Sequence, residues 1–351
     1  MSNSIFDLSA SNHPIRTKSL SNIWIMSNLY LRRNLSLFPF TGKMEESDFQ
    51  ELELILKKTL PSISPHIFHN FLKTSEISSI HAQALLEYYF SLSSLKKPGK
   101  ESFYFESQNR QTITHINNED HITVQQLQKN PFKPYEIKSL CDLSMKIAEK
   151  IPLALSEKYG YLTPSTNYCG TGLVIEVYLH LPFLLKSSSY EQIRESMGRI
   201  IDMVGLNGAN GFVGDFAIIK NKICLGVDEE TLLKKVQDKA LKLVEQEQKM
   251  RRNEALHHHW YHEVAKAFGA LKHGTLFSVV EAFNLLSLLK VGIDLSWVQR
   301  IEDSEVNELL LKLRRGHIQN EHNRVLDQDE LGLERARLIK EKIQSVVLEK
   351  L

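Results

Sequence analysis

Between Thr112 and Val124 two runs of alternating apolar residues meet at Asn117-Asn118-Glu119-Asp120-His121, a knot of two amides, two carboxylates and an imidazole. A carboxylate held at a strand end can take a proton from a weakly acidic nucleophile, so one of the two, Glu119 or Asp120, could serve as a general base. The same composition also builds an ordinary solvated turn, so the assignment rests on what flanks it. A second stretch, Gly160 to Gly172, crowds small and hydroxyl residues ahead of the strand-like run Leu173–Leu179. It could hold a ligand, although composition favours a long connection with turn chemistry.

Other constellations carry less. Glycines at 205, 208, 211 and 214 lack both the Gly-Lys-Ser/Thr ending of a phosphate loop and the G-x-G-x-x-G spacing of a dinucleotide site, which leaves a mobile loop as the default. His258 and His262 stand one helical turn apart within His257-His258-His259 and His262, a zinc-compatible spacing with no third ligand, so no metal site is expected. Lys249-Met250-Arg251-Arg252 closes an acidic-rich helix, where cations complement the helix dipole. Cys169 has no adjacent positive residue to activate it, and no Ser/Thr/His combination forms a nucleophile elbow.

The elements that must position these residues are legible in outline. Residues 1–22 read as a loose N-terminus, and Ile23–Phe40 as a strand entering an ordered loop. Helices are expected over Glu45–Leu60, ended by Pro61, and over Ser79–Leu92. Antiparallel strands follow at Phe103–Phe105 and Gln111–Gln125, then a helix Tyr135–Tyr159 bent near Pro152. After the Leu173 strand come a helix Tyr190–Val204 and a hairpin of Phe212–Ile219 with Ile223–Leu225. Beyond Asp228 strands are expected to stop. Helices are read at Glu229–Leu256, Leu256–Leu271, Ser278–Val291 with a Ser278-x-x-Glu281 capping box, Ser304–Arg315 and Asp329–Leu348. The architecture is α+β, a body of residues 23–255 followed by an all-α region, 256–351.

The totals exclude several classes. At 351 residues the chain can bury a large core, and its 42% apolar and 24% charged fractions are those of a folded globular protein. A formal charge of +1 offers no case for nucleic acid or an anionic membrane as partner. No apolar run reaches the ~18 residues of a membrane span. Cys141, Cys169 and Cys224 show no C-x-x-C spacing and follow no secretory leader, which favours a reducing, cytoplasmic setting with free thiols.

In order along the chain, these stretches resemble the bacterial protein arginine kinases of the McsB type, which share the catalytic domain of the phosphagen, or guanido, kinases. Ser27–Phe40 is similar to S-R-I-R-L-A-R-N-L…P-F, Asn117–Val124 to N-E-E-D-H-L-R-I, and Gly160–Leu173 to G-Y-L-T-x-C-P-T-N-x-G-T-G-L, with His180-Leu181-Pro182 matching the H-L-P that follows. Gly269-Ala270-Leu271, Glu281-Ala282, Leu285-Leu286-Ser287, Gly292–Leu295 and Asn307-Glu308-Leu309 resemble the family's C-terminal helical domain. The resemblance implies an antiparallel sheet flanked by helices, ATP and Mg²⁺ as cofactors, a homodimer formed through the helical domain, and protein clients or an adaptor as partners. It also implies Glu119 as the base acting on a guanidinium while arginines neutralise the triphosphate.

Those arginines are missing. Ser27 and Arg33 are retained, but Asn28 and Tyr30 replace the first two arginines of the opening motif, Thr123 replaces the one after E-D-H, and Val174 the one after G-T-G-L. Met203–Phe212 stands in for R-G-x-Y-G-E-G-S-E, Ser75 for the nucleotide-contacting histidine, and Ser165 for the active-site cysteine. Leu331-Gly332-Leu333-Glu334-Arg335-Ala336 lacks the first two residues of the phosphoarginine-binding R-D-x-x-R-A. A hydrogen bond to a charged group is worth about 1.5–3 kcal/mol, so losing four or five arginines forfeits roughly 6–15 kcal/mol. Lys220, Lys222 and Arg199 are the basic residues that could replace them from elsewhere. The implied function is a degenerate kinase retained as a binding or regulatory protein, with an active kinase using relocated phosphate ligands as the alternative.

Overall fold

In the computed structural model, residues 22–90, 102–209, 211–254 and 258–349 are described. The expected N-terminal segment and the predicted helix ends at Leu92 and Leu256 therefore lie largely or wholly outside them. Strand β1 (Trp24–Arg33) leads to α1 (Glu46–Ile63), β2 (Asn70–Lys73), α2 (Ser79–Tyr88), β3 (Phe103–Glu106), β4 (Thr112–Ile116), β5 (Ile122–Gln128) and α3 (Pro134–Ala148). A short hairpin, β6 (Leu155–Ser156) with β7 (Gly160–Tyr161), precedes β8 (Leu173–His180), α4 (Pro182–Leu185), α5 (Tyr190–Glu195), β9 (Ile201–Gly205), β10 (Phe216–Asn221) and α6 (Glu229–Glu254). The C-terminal region holds α7 (His258–His273), α8 (Val279–Asp294), β11 (Val298–Gln299), α9 (Asp303–Lys312), α10 (Arg315–His322), α11 (Gln328–Ile343) and β12 (Val347–Leu348).

Among the described residues the main sheet has eight antiparallel strands in the order β2-β3-β4-β5-β1-β8-β10-β9. Side chains alternate across it. Leu29, Leu31, Ile175 and Val177 enter a core with Leu52 and Leu56 of α1, Leu140 and Leu143 of α3, and Leu232 and Val236 of α6. The opposite face sends Met26, Tyr178 and Ile218 into a second core with α2 and the C-terminal helices. The two layers are tied by a buried polar link: His180 meets Ser287 Oγ of α8 (2.8 Å), and Arg251 of α6 donates to Glu247 (2.9 Å) and Asp294 (3.0 Å). No helix among the described residues is long and apolar enough to cross a membrane.

The α+β architecture expected from the sequence is present, with local corrections. Pro61 lies inside the last turn of α1, where few further ladder bonds remain to be lost, and the helix runs on to Ile63. The helix expected to reach Tyr159 ends at Ala148, and β6 lies within what was read as its second half, pairing with β7 just beyond it. Ile201–Val204 was read as the end of a helix but belongs to strand β9: α5 stops at Glu195, Gly198 has φ 74°, and burial then alternates with period two. The hairpin is accordingly β9 with β10, not 212–219 with 223–225. In the C-terminal region α9 stops at Lys312, α10 is a separate helix, and β11 pairs with β12 where strands were expected to be absent. Ser278 caps α8 by accepting from Glu281 N–H.

Candidate active site

The knot at 117–121 is the connection between β4 and β5. Asn117 takes φ 58°, a conformation asparagine tolerates better than most residues, and its N–H closes the turn on His121 O (3.0 Å). Glu119 stands out of this turn with its side chain 57% exposed, while Asp120 is buried beside it. Each neighbour is fixed from below. Asn34 donates to Asp120 Oδ1 (2.7 Å) and accepts from His121 N–H (3.0 Å), and Thr41 Oγ1 donates to the Glu119 carbonyl (2.7 Å). Leu35 N–H donates to His121 Nδ1 (3.0 Å), so the ring proton sits on Nε2 and is donated to Pro39 O (3.0 Å). Burial holds this imidazole neutral, pulling its pKa down to about 4.

Arg33, the retained arginine of the opening motif, is placed differently from its expected nucleotide role. It is not part of the cleft wall. Its guanidinium is buried, donating from Nε to Ser144 Oγ (2.6 Å) and from Nη1 to the carbonyls of Arg32 (2.7 Å) and Thr171 (2.9 Å), with the Tyr161 ring 3.5 Å from its Cζ. Burial pulls its pKa down to about 10. Gly172 makes this docking possible: at φ +63° a Cβ there would stand 2.6 Å from Arg32 O and 2.7 Å from Arg33 Nη1.

Above the sheet, a cleft of about 560 Å³ opens between the Glu119 turn and β8 and β10. Antiparallel register puts Tyr30 opposite Val174, Arg32 opposite Thr123, and Glu176 opposite both Asn28 and Lys220, so all of these share one face. Tyr30, Val174, Glu119, Asp120 and Ser165 line the cleft. Asn28 lies beneath Tyr30, donating to its hydroxyl (2.8 Å), and Thr123 is buried next to Arg32. Ser27, Ser75 and Met203 are not brought to it. Ser27 accepts from Trp24 Nε1 (3.1 Å), Ser75 is exposed after β2, and Met203 packs into the first core. Of the alternative cations, Lys220 lines the cleft, whereas Lys222 pairs with Asp202 (3.5 Å) and exposed Arg199 is not in its wall.

Two lining residues were missed by the sequence reading. Arg32 occupies the place of alanine in the opening motif, and the alternation Asn28, Tyr30, Arg32 was the signal that it faces the same way. Its Nη1 donates to Glu119 Oε2 (2.7 Å) and Asp120 Oδ2 (2.9 Å), and its Cζ lies 4.4 Å from the Tyr168 ring centre. Burial works against its charge, but the Asp120 and Glu119 carboxylates outweigh that and raise its pKa. Glu176 is a buried carboxylate in the cleft floor, accepting from Tyr178 OH (3.0 Å), and burial pushes its pKa up. A triphosphate fits this lining poorly. It would meet three carboxylates, the apolar Val174 side chain, one arginine already paired to two acids, and Lys220.

Comparison with known proteins decides the ancestry of this cleft. The description "ATP:guanido phosphotransferase, C-terminal catalytic domain" matches residues 51–250, and "Protein-arginine kinase McsB C-terminal domain" matches 257–350. The chain belongs to the ATP:guanido phosphotransferase family, in its protein-arginine kinase branch. Protein-arginine kinases of Halothermothrix orenii (26% identical, covering 92% of this chain and 93% of the relative) and Clostridium botulinum (29%, 91% and 95%) are similar over nearly the whole length. Among solved structures, a lombricine kinase shares the fold at TM-score 0.56 and 17% identity, over 69% of this chain and 70% of that one. The duplicated taurocyamine kinase of Schistosoma mansoni does so at 0.57 and 21%, over 66% of this chain and 35% of that longer one.

Proposed function

We propose that this protein keeps the protein-arginine kinase scaffold and its acid at Glu119 without a working phosphate clamp, and serves as a cytoplasmic, dimeric binding or regulatory protein. It engages protein clients or an adaptor through the helical region 256–351. One observation supports this above the rest: the sheet face that should cradle a polyphosphate presents Tyr30, Val174 and the carboxylate of Glu176. Calorimetric titration with MgATP, with phosphoarginine mass spectrometry on incubated proteins, is the test. No heat at millimolar nucleotide and no phosphoarginine are expected; tight MgATP binding or phosphoarginine production overturns the reading. Sedimentation of the purified chain tests the dimer.

Lys220 in the cleft wall favours one competing reading, an active ATP-dependent protein arginine kinase with relocated phosphate ligands. It requires that Glu119→Gln abolish a measurable activity, so equal silence of wild type and variant across substrates removes it. Phosphoarginine binding without catalysis has a separate locus. Arg335, at the place of the second arginine in the R-D-x-x-R-A motif, lies with Arg314 and Arg315 around a cavity of about 230 Å³. Its guanidinium there donates to the carbonyls of Leu313 (3.0 Å) and Phe277 (3.3 Å). Titration with a phosphoarginine peptide tests that site.

A further inference from the structure

The cleft retains acids suited to a guanidinium, and a guanidinium is already on them. Arg32 reaches both Glu119 and Asp120 across the mouth of a cavity that has room for a much larger group, and it stacks against Tyr168. We propose that Arg32 is a built-in occupant of the acceptor position: it holds the place that an arginine side chain of another protein would take, and the cleft admits an external guanidinium only when Arg32 swings away. This rests on reading the cleft as a retained acid without a phosphate clamp, and it adds what fills the acid's site.

Three observations support displacement over a fixed structural role. First, both carboxylate bonds come from the single nitrogen Nη1, whereas an untethered guanidinium can present two nitrogens in a fork to a carboxylate. Second, Glu119 is more than half exposed, so one of the two acids already faces an incoming group. Third, Asp120 does not depend on Arg32 for its place, because Asn34 binds its other oxygen at 2.7 Å. The contrast with the adjacent Arg33 is direct. That side chain is enclosed and satisfies two backbone carbonyls and a serine, and nothing in its surroundings would let it leave.

The probe is agmatine, which carries the guanidinium of arginine without its carboxylate, titrated calorimetrically into the full chain. Arg32→Ala is expected to bind it at least tenfold more tightly than wild type, and Glu119→Gln added to Arg32→Ala should erase the gain. Equal affinity of wild type and Arg32→Ala, or a gain that survives Glu119→Gln, overturns the proposal. Nitrogen-15 NMR of the arginine side chains gives a second measurement on the wild-type chain, which does not depend on the variant folding. The Arg32 Nε–H signal should move on saturation with agmatine, and a signal that stays fixed overturns the proposal. A parallel MgATP titration keeps the two claims apart: nucleotide binding would sink the loss of the phosphate clamp, while the agmatine result alone decides whether Arg32 is the occupant.

Discussion

Arg33 and Tyr30 lie on the same strand, and their side chains leave the sheet on opposite faces into opposite constraints. Around Arg33 every polar group is closed in: its guanidinium satisfies Ser144 and two backbone carbonyls, and nearby Asn34 and His121 are bonded on all sides. Around Tyr30 the sheet faces an open cleft, and the side chains there answer mainly to one another. Removing a charge from the enclosed side orphans buried partners, whereas on the cleft side the exposed Glu119 carboxylate can turn to solvent. On the function proposed above, this difference lets the chain keep the scaffold of the family while the residues that would grip a polyphosphate are replaced.

The sharpest way to break that contrast is a pair of substitutions. Arg33→Met strands the Thr171 and Arg32 carbonyls and Ser144 Oγ, and should lower unfolding free energy by about 3–5 kcal/mol. Tyr30→Phe removes one hydroxyl acceptor from Asn28, whose amide also faces Tyr89 O (3.4 Å), and should cost about 1 kcal/mol. Urea midpoints at constant slope would compare them, and equal losses would show that the two faces are not held to different standards.

Next in size is a pH effect from the buried histidines. His121 is neutral in the fold with its pKa pulled down to about 4, while in the unfolded chain it titrates near 6.5. As pH falls from about 6.5 to 4 the unfolded chain takes up a proton that the fold refuses, so stability drops through that window, by up to about 3 kcal/mol. Buried His115, also pulled down to about 4, adds to the same slope. Replacing His121 with Gln, which can still accept from Leu35 N–H, should remove its share of a slope to which buried His180, its pKa also pulled down by burial, contributes as well. An unchanged acid slope in that variant would mean the imidazole is already charged in the fold.

Much of this molecule could be read from residue order. The alternation across Thr112–Val124 located β4, β5 and the turn carrying Glu119, and the motif positions Tyr30 and Val174 fell on one cleft because antiparallel register pairs them. What stayed hidden has physical causes. Arg33 looked like a ligand because a motif match reports residue type, whereas burial and the space left by Gly172 decide where a guanidinium points. Arg32 was passed over because it matches no arginine of the family, and only the strand period shows it aimed at Glu119. Ile201–Val204 read as helix because the five-residue strand β9 gives too short a window to separate the two periods.

The smallest predicted effect tests the sign of charge in the cleft floor. Burial raises the pKa of Glu176, opposed by Lys220 and by the hydrogen bond from Tyr178. A carboxyl whose folded pKa lies above its unfolded value gives stability that is complete below about pH 4.5 and is lost as pH rises through the folded value. Wild type should therefore lose stability relative to Glu176→Gln as pH rises above 4.5, a slope opposite to that of His121. Melting temperatures of the two proteins across that range would show it. If the wild type instead gains on the variant as pH rises, Lys220 and Arg32 together hold Glu176 ionised more strongly than burial opposes it. The floor would then be more cation-rich than its lining suggests, and less hostile to a bound polyphosphate.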